Sequence, residues 1–101
     1  MPKIFEYLGI LIYFYSNEHE PIHVHGKVGD TESKAEFIIE NGKIVEIRIK
    51  AVGNTKSLKA VDLRNFKMFL SKYADRIVEK WIEFFVLKKK VKFERITKRV
   101  K

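Results

Sequence analysis

The feature that most constrains this chain is a change of hydrophobic period near residue 58. Before it, apolar residues come in short β-branched and aromatic runs separated by turn residues, the pattern of strands. After it, Ala74, Ile77, Val78, Trp81, Ile82 and Phe85 recur at the three- and four-residue spacing of an amphipathic helix. Leu63, Phe66, Phe69 and Leu70 make a similar stripe just upstream. Strands first and helices second points to an α+β fold, with an antiparallel sheet covered on one face by helices.

The strand-rich part divides at its turns. Runs over residues 3–8 and 10–15 flank Gly9, which suits a hairpin turn. The second run is apolar throughout, as in a strand covered on both faces. Ile22-His23-Val24-His25 alternates, with Gly26, Gly29 and Asp30 expected to end it in a turn. Runs over 34–40 and 43–50 flank Asn41-Gly42, the strongest hairpin signal in the sequence, because a type I′ turn needs positive φ at both positions. Residues 91–96 alternate weakly and could add an edge strand.

One helix over 59–87 would be ~43 Å long at 1.5 Å per residue, too long for a compact domain of this size. A break is therefore expected near Lys72-Tyr73. The predicted architecture is a roughly five-stranded, mainly antiparallel sheet packed by two C-terminal helices. It forms a single domain over 1–101, strand-rich over 1–50, helical over 58–87 and basic over 88–101.

Composition removes several function classes. With 46% hydrophobic residues the chain has enough apolar area to fold, unlike a disordered segment. No cysteine is present, so disulfide frameworks and thiolate metal sites are excluded. No N-terminal signal pattern and no apolar run near the ~20 residues of a membrane span appear, so a cytoplasmic protein without membrane contact is expected. Trp81 falls within the helical apolar stripe and reads as core.

Charge is uneven. Residues 86–101 hold eight basic side chains against Glu94, a net +7, while residues 1–85 carry 13 basic and 12 acidic residues, a net +1. Lys88, Lys89, Lys90, Lys92, Arg95, Lys98 and Arg99 are the candidate nucleic-acid contacts, since a local basic cluster attracts a polyanion. A solvated tail that keeps the protein soluble is the plainer account.

All three histidines, His19, His23 and His25, lie within seven residues and are flanked by Glu18 and Glu20. As acid–base catalysts, His23 and His25 would take one proton and deliver another, with His19 supporting them and lysines or Arg48 steadying a phosphate. As a metal site, His23 and His25 would share an ion with His19 or a glutamate, although the pattern calls for no cofactor. As structure, they would bond a loop and each other or form a protein interface. Tyr13 and Tyr15 share a strand face and serve better for packing than for stacking a base.

The stretch Phe14-Tyr15-Ser16-Asn17-Glu18-His19-Glu20-Pro21-Ile22-His23-Val24-His25 resembles the signature of the family called domain of unknown function 4160. Met1-Pro2-Lys3-Ile4, then Lys34, Ala35, Glu36 and Phe37, and later Asp62-Leu63-Arg64 and Ile77 with Trp81, Phe84 and Phe85, are similar to the rest of it. Ile22 stands where relatives often carry a second proline. Genes of that family often lie beside those of another small family, an arrangement similar to toxin–antitoxin pairs. The resemblance thus implies a toxin-like component acting on RNA, with a small acidic antitoxin-like partner.

Overall fold

The computed structural model describes residues 2–14 and 21–100. Five strands come first: β1 (Lys3–Tyr7), β2 (Ile10–Tyr13), β3 (His23–Val28), β4 (Thr31–Glu40) and β5 (Lys43–Ala51). Helix α1 (Ala60–Trp81) follows, prolonged by a π-helical turn over Ile82–Val86, and β6 (Glu94–Ile96) ends the order. The sheet runs β5-β4-β3-β2-β1-β6. Neighbours among β1 to β5 are antiparallel, whereas β6 lies parallel to β1. The fold is therefore α+β, with a mixed six-stranded sheet rather than five antiparallel strands.

Both expected hairpins form as type I′ turns. Leu8 and Gly9 have φ of 49° and 82°, and Asn41 and Gly42 have 52° and 79°. Gly26 does not end its strand. It sits inside β3 because the Phe66 ring of α1 packs on its Cα, where an added Cβ would lie 2.7 Å from the ring. The turn instead falls at Gly29-Asp30, with Gly29 supplying the positive φ.

The expected break at Lys72-Tyr73 is absent, and one helix runs from Ala60 through the π turn. Neither glycine nor proline occurs after Gly53, so nothing in the sequence interrupts the backbone bonds. The apolar stripe also stays in phase: the Tyr73 ring stacks on Phe69 at 4.4 Å, and both meet Phe5 edge-on. The α-helical part has 22 residues. At ~1.5 Å per residue it is as long as the greatest extent of the molecule, 33 Å, and so fits within it unbroken. The π turn takes up the remainder and brings Phe84 and Phe85 against Phe14. Lys88, with φ of 57°, then reverses the chain, and the Lys89 N–H donates to the Glu83 carbonyl.

The core lies between α1 and one face of the sheet. Phe5, Tyr7, Ile10, Ile12, Val24, Ala35 and Phe37 meet Phe66, Phe69, Leu70, Ile77 and Trp81 there, all buried. The C-terminal segment is latched onto this body rather than hanging free. Lys80, itself buried, donates to the Lys92 carbonyl at 2.8 Å and pairs with Glu94 at 2.9 Å. Arg76 forks onto both oxygens of Glu94, and the Val100 N–H donates to the buried Tyr7 hydroxyl.

Two outcomes test this account. Gly26→Ala drives a methyl into Phe66 and should cost about 1–3 kcal/mol in urea unfolding, as overpacking does. The hydrogen bond from Lys80, and then that from Arg76, hold the Glu94 carboxyl below the usual glutamate range, against the opposing pull of burial. The stability this gives is present above the pKa of an unfolded glutamate, ~4.3, and is lost as pH falls through the depressed native value. Glu94→Gln should therefore lose about 1–2 kcal/mol at neutral pH, and the gap to the parent should close in acid.

Candidate functional site

Strand alternation and the Phe66–Gly26 contact together aim the histidines. With Val24 and Gly26 turned toward the helix, His23 and His25 must project from the opposite face of β3. Cross-strand partners share a face, so Tyr13 and Lys34 flank His25 from β2 and β4, and Glu36 stands opposite His23. Although no described helix lies on this face, His25 is only 2% exposed and His23 only 8%. Tyr13 is buried there too.

The two rings meet edge to face, with centroids 5.6 Å apart, and Tyr13 stacks on His25 at 5.4 Å. Each imidazole is held through the same nitrogen. His25 Nδ1 lies 3.0 Å from the carboxylate of Glu32, both side chains being buried. His23 Nδ1 lies 2.7 Å from the Pro21 carbonyl oxygen. A carbonyl oxygen and an ionised carboxylate can only accept, so Nδ1 carries the proton in both rings. In the neutral state Nε2 is then the basic nitrogen of each. The carboxylate–histidine pair is the arrangement that orients an imidazole for proton transfer and stabilises it when charged.

Glu32 is the site residue that reading the sequence missed. A two-residue turn at Gly29-Asp30 sets Lys27 opposite Glu32 and His25 opposite Lys34, which places Glu32 diagonal to His25. Counting back from that turn would have found it, whereas ending the strand at Gly26 hides the register. His19, Tyr15, Glu18 and Glu20 lie outside the described residues. Among the described residues, no group of three or more His, Cys, Asp or Glu side chains is placed to hold a metal ion.

The basic residues do not gather on the histidines. Arg95 alone of the candidate segment projects on the same sheet face, opposite Glu6, at 3.4 Å. It lies three strand steps from His25, ~14 Å at the usual spacing. Lys90 and Lys92 share a hollow with Arg76, Lys80, Glu79, Glu83 and Glu94, four cations to three carboxylates, with Glu94 taken up by Arg76 and Lys80. Lys98 and Arg99 flank Lys72 and Tyr73 beside the helix, while Lys88 and Lys89 occupy the chain reversal after α1. The cations nearest the imidazoles along the sheet are Lys34 and Lys27. Arg48 lies on the histidine face but is bonded to Glu46, and Lys50 pairs with Glu36. Among the described residues, no helix is long and apolar enough to cross a membrane.

Fold and site together define a small α+β domain with a buried carboxylate–histidine pair on the face of its sheet opposite the helix. A family model described as Domain of unknown function (DUF4160) matches residues 9–82, and the chain belongs to that family. The match takes in β2 to β5 and nearly all of the helix, including His23, His25 and Glu32, and stops short of the basic segment. No curated protein and no solved structure matches the chain.

If the Glu32 carboxylate fixes the His25 tautomer, Glu32→Ala should release it. Nitrogen NMR should then show His25 shifting from the Nδ1–H form toward a mixture, while His23 keeps its form. The same variant leaves a buried donor without this acceptor and should lose about 1–3 kcal/mol of stability.

Proposed function

We propose that this protein is a toxin-like component of a two-gene pair that binds and cleaves RNA, with His23 and His25 as its acid–base residues. The observation behind this reading is the pair of adjacent imidazoles, each held through Nδ1 so that Nε2 exchanges the proton. Acid–base cleavage of RNA needs two such groups and no metal. His25, backed by Glu32, takes the proton of a ribose 2′-hydroxyl. The 2′-oxygen attacks the adjacent phosphorus and the bond to the 5′-oxygen breaks. Protonated His23 then donates to that leaving oxygen. The products are a 2′,3′-cyclic phosphate and a 5′-hydroxyl. Lys34 and Lys27 stand beside the pair to steady the phosphate.

The net charge of +8 favours both RNA and a small acidic antitoxin-like partner. A second reading rests on burial: an imidazole 2% exposed offers little surface to a bound chain. On that view the histidine network is a structural rivet beneath a protein interface, and the domain is an interaction module without turnover.

Incubation of pure, untagged protein with RNA, with and without EDTA, separates the two. Acid–base chemistry predicts EDTA-resistant cleavage leaving cyclic phosphate ends, reduced on the order of 10²-fold or more in His23→Ala and in His25→Ala. Cleavage that survives unchanged in both folded variants would sink the assignment. Intact RNA with folded parent protein would select the interaction module.

A further inference from the structure

We propose that the exposed edge of β5 docks a second copy of this chain, the two β5 strands pairing antiparallel about a two-fold axis through Ile47. β5 is a nine-residue edge strand, and no described strand lies along its outer side. Such an edge presents a row of unpaired N–H and C=O groups, which proteins normally blunt. The opposite edge is the three-residue β6, too short to serve as an equivalent template.

The surroundings of β5 are apolar as well as unpaired. Val45 is 55% exposed and Ile39 on the adjoining strand is 38% exposed. Beside them runs a furrow between β5 and α1, with hollows of about 590 and 400 Å³. Its apolar walls are Ile44, Ile47, Ile49, Leu70 and Ala74.

Charge complementarity selects the occupant and the register. β5 reads Lys43-Ile44-Val45-Glu46-Ile47-Arg48-Ile49-Lys50-Ala51. A two-fold axis at Ile47 sets Ile47 against itself, and the irregularity of β5 at Val45, which faces no residue of β4, bounds the regular register on that side. The axis also sets Glu46 against Arg48 of the second copy, twice by symmetry. Within the regular stretch around the axis no like charges face each other. Moving the axis one residue either way places Arg48 on Arg48 or Glu46 on Glu46. Opposite charges across a strand pair stabilise it and like charges oppose it, so the sequence favours this register over its neighbours. A self-complementary strand is what an isologous dimer requires. The Glu46–Arg48 pair within each strand is half exposed and free to exchange into the cross-strand arrangement.

The axis stands perpendicular to the sheet, so both histidine faces lie on the same side of one continuous sheet. β3 is two strands in from the joined edge. His25 lies on the row of Lys34 and Lys50, three residues along the strand from Ile47, so the two His25 residues would sit about 24 Å apart across the sheet and about 20 Å apart along it, ~31 Å in all.

Sedimentation velocity across a micromolar concentration series provides the test. Dimeric parent protein is expected, with Glu46→Arg and Arg48→Glu each weakening association at least tenfold by setting like charges opposite. The swap E46R/R48E should restore it, since it rebuilds both pairs with their signs reversed. All four proteins should show the same circular dichroism, because these side chains lie outside the core. A parent protein that stays monomeric throughout overturns the proposal. So does a dimer indifferent to the single substitutions, or one that the double swap fails to restore.

Discussion

The seating of Phe66 on Gly26 is the contact on which the rest of the molecule depends. It fixes which face of β3 the helix covers, and strand alternation then leaves the histidines no choice of side. Any side chain at position 26 would lift α1 from the sheet or turn the ring aside, loosening the packing of Phe69 against Phe5 and Tyr7. A glycine that reads as a strand breaker is here a place where a large ring approaches the backbone. The core and the candidate site are therefore two faces of one strand, fixed by one packing decision.

Burial on the face opposite the helix has its own logic. A histidine, a glutamate and a tyrosine taken from water must find partners, or each loses about 1–3 kcal/mol. Glu32 and His25 answer one another, Tyr13 covers the imidazole, and a backbone carbonyl holds His23. The result is a pre-oriented pair of rings whose tautomers are set by their neighbours rather than by a substrate. That preorganisation serves proton transfer, and it serves equally as a rigid floor beneath a bound protein. The geometry is common to both uses, so the chemistry of the products decides between them.

Much of this was legible in the residues, for identifiable reasons. Asn41-Gly42 and Gly9 mark turns whose backbone demands are local, and both hairpins formed there. The helical stripe from Leu63 to Phe85 was equally plain, because amphipathic periodicity reports burial directly. The supposed break at Lys72-Tyr73 came from a length argument, which failed because a helix as long as the greatest extent of a small domain fits within it unbroken. β6 was visible only as weak alternation, since three residues beside β1 depend on the Glu94 latch rather than on their own pattern. Glu32 was hidden for a different reason: a partner seven residues away along the chain comes near only through the hairpin register.

Formal charge overstates how basic the molecule is where it matters. The net +7 of residues 86–101 suggests a cationic arm, but Glu79 and Glu83 of the helix stand beside Lys90 and Lys92, and Glu6 faces Arg95. The histidine face is more evenly balanced. Lys27, Lys34, Arg48 and Lys50 lie among Glu32, Glu36 and Glu46, four cations to three anions, so these residues sum to +1 before either imidazole takes a proton. Protonating His25 turns the buried pair with Glu32 from an anion into a neutral ion pair, and a proton on His23 adds to the positive charge of the face. An anionic chain approaching this face thus favours the protonated rings, and protonated rings favour the chain, as linkage requires. In the reaction we propose, the form of His23 that attracts a phosphate is also the form that protonates its leaving oxygen, so binding and the acid step would draw on the same proton.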